Sequence, residues 1–178
     1  SDYGEMLICD GANKPFFFKM TGTGALADRT FFASEITVDS TTAPTVGVIH
    51  ENHFVVGGAP TAKNKIFFSA TLDPDSFSGT GSGSIQLTDA IVGLASFRSD
   101  LIIFCKNSIF KLINISDSSN IAIVPITQNV GCLDGNSIQE IGGDLLFLSP
   151  DGIRTVAGTA RIGDVELSSV SRQIQKLT

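Results

Sequence analysis

The sequence predicts an all-β fold, from its composition and from an internal repeat. Hydrophobic residues make up 42% of the 178 residues and charged residues only 17%, so the chain is apolar and long enough to bury a core. The chain has 18 Gly and 13 Phe but one Tyr and no Trp. Thr, Ser, Val and Ile are plentiful, and such a composition favours strands and tight turns over helices.

The repeat is a short apolar strand, a polar turn and a second apolar strand. It occurs four times, as Met6–Cys9 with Phe16–Phe18, Phe54–Val56 with Ile66–Phe68, Leu101–Phe104 with Ile109–Leu112, and Leu145–Leu148 with Ile153–Val156. The four first strands begin 48, 47 and 44 residues apart. Similar approach segments precede three of the hairpins and begin at Val46, Val92 and Ser137. Asp100 and Asp144 hold the same place, directly before a strand.

A period of about 45 residues with some four strands per unit is typical of β-propeller blades. One small antiparallel sheet cannot bury both of its faces, but sheets stacked around an axis can, which explains the nearly continuous apolar runs. We therefore expect one all-β domain over residues 1–178, complete or a portion of a larger propeller protein. Its propeller-like blade repeats lie near 5–19, 46–70, 91–113 and 137–157. A β-sandwich of hairpins is the alternative that the turn spacing leaves open.

The segments between the hairpins are predicted to be further strands and loops. Residues 83–88 and 120–127 are expected to be outer or approach strands, and Pro125 argues against a central place in a sheet for the second of these. Gly, Ser, Thr and Asp predict loops over 21–30 and 73–84.

Only the tail is periodic in the way of a helix, which we expect at about 168–177. Its apolar residues are spaced to fall on one face, namely Leu167, Val170, Ile174 and Leu177. Ser168 or Ser169 could cap its start. No stretch approaches the ~20 apolar residues of a membrane span, and the first ten residues hold no basic region, so neither membrane insertion nor a signal peptide is expected.

The charge and the cysteines exclude some classes of protein. A net charge of −6 argues against a protein that grips nucleic acid by its phosphates, because such proteins collect Lys and Arg. Cys9, Cys105 and Cys132 are odd in number and lack a C-x-x-C spacing, so we expect free thiols in a reducing compartment rather than a disulfide framework or a zinc site.

The polar motifs predict no catalytic residue, no cofactor-binding residue and no metal ligand. The run Gly79–Ser84 lacks the Lys and the helix of a phosphate-binding loop and is expected to be a surface loop. His50 and His53 are expected on opposite faces of a strand, which disfavours metal ligation. Asp73–Asp75 and Asp151–Gly152 lack calcium-loop spacing and are expected to be turn residues. No nucleophile motif is present, so we do not expect an enzyme.

Several segments together resemble one family of viral proteins. They are His50–Gly58, Asn64–Ser69, Asp73–Phe77, Ile91–Leu112, Leu145–Arg154 and Val170–Ile174. Their pattern of strands, turns and Asp-Pro residues is similar to the β-propeller tail proteins of tailed bacteriophages, which include the short-tail nozzle and the proteins that plug the tail to hold packaged DNA. The resemblance covers roughly residues 5–175 of a family whose members tend to be several times longer. The family often has Arg where this chain has His53.

The resemblance implies a structural component of a virion tail, assembled in the host cytoplasm. Such a protein would sit in or beneath a ring, line or close the DNA channel, and help to retain or pass the genome. Its partners would be other tail proteins and further copies of itself in a homo-oligomeric ring, with at most non-specific passage of DNA. An acidic channel wall would repel phosphates and let DNA slide.

Two other functions remain open from the residues. One is a non-catalytic β-propeller binding module for protein or glycan partners, although one Tyr and no Trp supply a sugar platform poorly. The other is a glycan-cleaving propeller enzyme, which would need acidic residues converging on the central axis.

Overall fold

The computed structural model describes residues 5–21, 30–35, 38, 43–73 and 76–160, and within these ranges the chain is mostly β, as predicted. The chain divides into two compact units, Ser1–Gln86 and Leu87–Thr178. The described strands form four antiparallel sheets, two in each unit.

The described residues of the first unit form seven strands. The first sheet consists of β1 (Glu5–Ile8), β2 (Phe16–Thr21) and β3 (Thr30–Glu35), and the second of β4 (Val46–His50), β5 (His53–Ala59), β6 (Ala62–Phe68) and β7 (Gly83–Gln86). In both sheets the strands lie side by side in chain order.

The described residues of the second unit also form one four-stranded and one three-stranded sheet with strands in chain order, but here the four-stranded sheet comes first. The third sheet consists of β8 (Ile91–Phe97), β9 (Asp100–Cys105), β10 (Ile109–Ile113) and β11 (Ala122–Thr127). A short 3-10 helix (Gly135–Ser137) leads to the fourth sheet, which consists of β12 (Gln139–Ile141), β13 (Asp144–Ser149) and β14 (Gly152–Thr155). A five-residue helix, α1 (Val156–Ala160), follows β14 directly.

All four predicted hairpins are present as antiparallel pairs, β1–β2, β5–β6, β9–β10 and β13–β14. The approach segments are also strands, β4, β8 and β12, and each forms one edge of its sheet. The two predicted outer segments form the opposite edges as β7 and β11. Pro125 lies in β11, an edge strand, where its missing N–H leaves no inner ladder bond unmade.

The same two-residue turn joins the first two strands of the second, third and fourth sheets. The residues that close these turns are paired as His50 with His53, Phe97 with Asp100, and Ile141 with Asp144. Left-handed backbone is found in every one of them, at Glu51 (φ 44°) and Asn52 (φ 64°), at Arg98 (φ 55°), and at Gly142 (φ 62°) and Gly143 (φ 79°). Turns with positive φ match the right-handed twist of hairpin strands. Both turn residues have positive φ in the second and fourth sheets and only Arg98 in the third, so the three turns share their length and position but not one backbone conformation.

Sheet-on-sheet packing also repeats. In the second unit, Ile102 and Phe104 of the third sheet lie in one core with Leu145 and Phe147 of the fourth, and the Phe104 and Phe147 ring centroids are 5.2 Å apart. In the first unit, Cys9 packs against a core that contains Val56 of the second sheet. Phe104 and Cys9 are both the fourth residue of their repeat, and Phe147 and Val56 are both the third.

The two helices of the described ranges were not predicted from the sequence. Val156 was expected to end a strand, but α1 begins there because the Thr155 hydroxyl accepts the Gly158 N–H (3.0 Å), which is a side-chain cap at the helix start. The predicted helix at 168–177, with Ser168 or Ser169 as its cap, lies outside the described residues, as do positions 22–29 of the predicted loop 21–30. Neither helix of the described ranges has the length and apolar character needed to cross a membrane.

Candidate functional site

The two histidines lie side by side, contrary to the expectation that they would occupy opposite faces. His50 and His53 are directly paired across the β4–β5 turn, and directly paired residues of antiparallel strands project from the same face. The expectation was wrong because it treated the segment as one continuous strand, whereas a turn at Glu51–Asn52 reverses the chain. Both side chains are buried, at 2% and 0% exposure.

Protein groups hold both ring nitrogens of His53. Its Nδ1 lies 2.6 Å from the Ser69 carbonyl oxygen, and because that oxygen can only accept, Nδ1 is the protonated nitrogen. Nε2 then accepts from the Thr71 hydroxyl at 3.3 Å. The ring meets Phe68 edge-on, with centroids 6.1 Å apart. These contacts tie β5 to the segment that follows β6.

Asp100 and Asp144, which share one place in the repeat, perform different local tasks. Asp100 pairs with Lys111 on the neighbouring strand β10 at 3.3 Å, and both side chains are about one third exposed (36% for Lys111, 32% for Asp100). Asp144 accepts its own strand's Leu145 N–H at 2.8 Å and the Ala157 N–H of α1 at 3.1 Å. The shared position therefore contacts a neighbouring strand in one sheet and a helix start in the next.

The β13–β14 hairpin turn holds a guanidinium in the protein interior. The register pairs Arg154 with Phe147, so the Arg154 side chain shares the face of the fourth sheet that packs on the third, and it is 4% exposed. Asp151 in the turn binds this guanidinium through both carboxylate oxygens, from Nε at 2.8 Å and from Nη2. The buried Ser149 hydroxyl donates to the same carboxylate. The hydrogen bond from Arg154 holds the pKa of Asp151 far below its usual range, and the hydrogen bond from Ser149 lowers it by a smaller amount. Together they outweigh burial, which alone would raise this pKa.

A second hydrogen-bonded carboxylate joins β8 to the β9–β10 turn. Asp89 accepts the Asn107 N–H at 2.7 Å, the Ser108 hydroxyl at 2.8 Å and the Ala90 N–H at 2.8 Å. Partial burial alone would raise the pKa of Asp89, but these hydrogen bonds outweigh it and lower the pKa. Asp89 therefore stays ionised as an acceptor in a turn.

The three cysteines are free, as predicted, and their thiols are held protonated. Burial, followed by the charge of Asp89, raises the pKa of Cys105 to about 12. Burial, followed by the charge of Asp10, raises that of Cys9 to about 11. Burial also raises the pKa of Cys132. Because the thiolate is the nucleophile, these environments suppress cysteine chemistry.

Two clefts open between the third and fourth sheets of the second unit. The first, which we call the Arg154 cleft, has a volume of about 410 Å³ and is bordered by the β9–β10 turn, the segment after β11 and the β13–β14 turn. Its charged lining residues are Lys106, Arg154 and Asp151, which leave one positive charge in excess. Polar and apolar lining groups also include Asn129, Val130, Ser149, Pro150 and Thr159.

The second cleft, which we call the Lys111 cleft, has a volume of about 380 Å³ and is bordered by the β8–β9 and β12–β13 turns. Its charged lining residues are Arg98, Lys111, Asp100 and Asp144, so its charges balance. Each cation already has an acceptor, since Lys111 pairs with Asp100 and Arg98 donates to the Gly143 carbonyl at 3.1 Å.

The remaining sequence motifs are found in turns. Within Gly79–Ser84, residues 79–82 form a turn in which the Ser82 hydroxyl donates to the Gly79 carbonyl, and β7 starts at Gly83, as expected of a loop followed by a strand. Asp151 and Gly152 belong to the β13–β14 turn, as expected. Asp73 pairs with Ala70 in a bridge, while positions 74 and 75 lie outside the described residues. Over the ranges that the structure describes, no group of three or more His, Cys, Asp or Glu side chains could hold a metal ion.

A scan against protein-family models gives no match for this chain, and a search of curated proteins gives none either. The functional proposal therefore depends on the repeat and on the resemblance described above.

Sequence reasoning missed the Arg154–Asp151 pair and both clefts. One signal was present, since an acidic residue in a two-residue hairpin turn and a basic residue three positions later belong to the same short hairpin. Burial of Arg154 was not readable, because it depends on which face of β14 meets the neighbouring sheet.

Proposed function

We propose that this chain is a non-catalytic structural component of a bacteriophage tail. In this proposal its sheets are propeller-like blades, and copies of the chain, together with other tail proteins, form a ring that lines or closes the DNA channel and helps to retain or pass the genome. One observation carries the proposal: the same hairpin unit recurs four times as an antiparallel strand pair. Three of the four copies overlap the segments that resemble the tail proteins.

The packing between repeats supports assembly through a further sheet. Leu148 is the fourth residue of its repeat, the place that Phe104 holds in the third sheet and Cys9 in the first. Phe104 and Cys9 each pack against the next sheet along the chain, whereas Leu148 is 38% exposed. Ile141 projects from the same face of the fourth sheet as Leu148 and is 59% exposed. The repeat therefore favours a blade from a second copy as the group that covers this face.

The chemistry of the described acidic residues is consistent with a structural role. Asp89, Asp144 and Asp151 accept hydrogen bonds from backbone or side-chain donors that hold turns and a helix start together. A net charge of −6 would weaken any grip on the phosphates of a passing duplex.

Oligomeric state and shape test the proposal directly. We expect the 178-residue chain to form rings whose class averages in electron microscopy show blades around a channel wide enough for duplex DNA. Leu148→Asp places a charge on the proposed contact face and should convert the rings to smaller species in light scattering. Leu72→Asp is the matched control, because Leu72 is 77% exposed in a turn of the first unit with φ of 59°, a conformation that Asp tolerates better than Leu.

Three results would contradict parts of the proposal. Compact monomers at every concentration would remove the ring. Rings that are unchanged in Leu148→Asp would show that this face is not the contact between copies, although the chain still forms a ring. Particles whose sheets share no common axis would remove the propeller.

A further inference from the structure

The Arg154 cleft holds a buried cation with hydrogen-bonding capacity to spare. A guanidinium has five N–H donors, and Arg154 gives two of them to Asp151, so three have no acceptor among the described residues. Arg154 is only 4% exposed, and a buried donor without an acceptor is costly. Arg154 lines an open cleft, so an oxygen atom from outside the protein can serve as an acceptor for this side chain.

A second cation faces the same cleft. Lys106 lies in the β9–β10 turn, and its ammonium group forms no ion pair with any described residue. Its position is fixed through the backbone, because the Lys106 N–H donates to the Ala90 carbonyl at 2.9 Å and a side chain on Gly131 would overlap the Lys106 carbonyl. Gly131 thus lets the segment after β11 close against the turn, and the close approach forms one wall of the cleft.

The charges of the cleft favour a single negative charge. Lys106 and Arg154 are opposed by Asp151, whose side chain is 48% exposed and binds the same guanidinium. A phosphate dianion would meet the repulsion of this carboxylate at close range, whereas a monoanion matches the one positive charge in excess. The guanidinium edge not taken by Asp151 has the fork geometry that suits a planar carboxylate.

The walls of the cleft add a requirement for shape. Val130 and Pro150 provide apolar surface, and the amide of Asn129 provides a polar group that can orient a ligand. A volume of about 410 Å³ is in the range of small-ligand pockets.

We propose that the Arg154 cleft is a binding site for a carboxylate on a short aliphatic chain. The carboxylate accepts from the free N–H groups of Arg154 and from Lys106, and the aliphatic carbons contact Val130 and Pro150. Small organic acids and the Glu side chain of a partner protein share this chemistry. The proposal does not rest on the tail assignment, because Leu148 and Ile141 of the proposed contact face do not line this cleft.

Ligand-detected NMR on the full chain tests the proposal whatever the oligomeric state of the protein. The probes are butyrate, its uncharged amide butyramide, inorganic phosphate, and a capped Ala-Glu-Ala peptide with its Ala-Gln-Ala counterpart. We expect saturation transfer to butyrate, little transfer to butyramide, and weaker binding of phosphate than of butyrate. The peptides show which kind of molecule supplies the carboxylate. Tighter binding of the Glu peptide than of butyrate indicates a partner protein, and tighter binding of butyrate indicates a small organic acid.

Two variants locate the binding. Arg154→Lys keeps the positive charge but lacks the paired N–H donors of the guanidinium. In the folded variant we expect saturation transfer to butyrate to be abolished. Lys106→Met changes an exposed turn residue, is expected to leave folding intact, and should weaken butyrate binding roughly fivefold, as expected for one partly exposed charged contact. Lys111→Met is the matched control, since Lys111 lines the other cleft and already has Asp100 as its partner, so butyrate binding should not change.

Several results would overturn the proposal. They are no butyrate binding, equal binding of butyrate and butyramide, stronger binding of phosphate than of butyrate, and unchanged binding in Lys106→Met. None of them bears on the phage-tail proposal, which is tested by ring formation.

Discussion

The two clefts of the second unit lie between the same two sheets, next to different turns. The ion pairs that line them differ in burial and in the number of hydrogen bonds. At the Arg154 cleft a guanidinium that is 4% exposed donates two hydrogen bonds to one carboxylate. At the Lys111 cleft an ammonium and a carboxylate, each about one third exposed, meet through a single contact of 3.3 Å. Burial decides the energetic value of an ion pair, so the first pair organises a hairpin while the second adds little.

The largest effect is expected from the core that lies between the two clefts. Phe147→Ala removes a ring that is 1% exposed and packs on Phe104, and it should lower the free energy of unfolding by about 3–5 kcal/mol. Circular dichroism during urea denaturation measures this, since the chain has no Trp. Leu148→Ala, next along the strand on the exposed face, is the control with a smaller loss. Equal losses in the two variants would mean that the sheet faces have been assigned wrongly.

The Arg154 pair should respond unequally to the loss of either partner. Asp151→Asn leaves a buried guanidinium without its counter-charge and should cost about 2–3 kcal/mol of unfolding free energy. Arg154→Met leaves a carboxylate that is 48% exposed and can be solvated by water, so its cost should be smaller. The same urea measurement at pH 7 compares the variants. A larger loss in Arg154→Met would contradict the idea that burial of the cation sets the cost.

Acid should remove the contribution of Asp151. Its folded-state pKa is lowered, chiefly by Arg154, relative to an unfolded value of about 3.9, so the stabilisation is fully present above that value and is lost as the pH falls toward the folded pKa. The difference in unfolding free energy between the unmodified protein and Asp151→Asn should therefore shrink below about pH 4. Urea titrations at pH 7 and pH 3 measure it. A difference that grows on acidification would show that the sign is reversed.

The smallest effect is expected at the Lys111 cleft. Asp100→Asn should change the unfolding free energy by no more than about 1 kcal/mol, because the pair is partly exposed and solvent screens it. High salt should reduce the change further. Urea unfolding at low and high ionic strength tests this. A loss as large as that of Asp151→Asn would erase the contrast between the clefts.

The sequence predicted the repeated part of the fold well, because apolar runs and polar turns record strand positions directly. Leu101–Phe104 and Ile109–Leu112 pair as expected, and Pro125 lies at a sheet edge as its missing N–H requires. Helix α1 was missed because its start depends on Thr155 and on Asp144, which is remote in sequence.

The candidate site could not be predicted in the same way. His50 and His53 were expected on opposite faces but lie on the same face, because a turn separates them and strand register decides which side chains share a face. The Arg154 cleft brings together Lys106, Gly131 and Arg154 from three separated segments, and only the packing of two sheets brings them near one another.

The rule by which the fourth residue of one repeat meets the third residue of the next is local to neighbouring sheets. Gene duplication can therefore add a repeat without changes to a central core, because each repeat carries both residues that its neighbours need for packing. Within the two units the rule also explains why spacings of 48 and 44 residues coexist: a difference in the length of the connecting segment leaves the pairing of faces untouched. A chain built in this way can grow or shorten by whole repeats over evolutionary time while each sheet keeps the same neighbour relation.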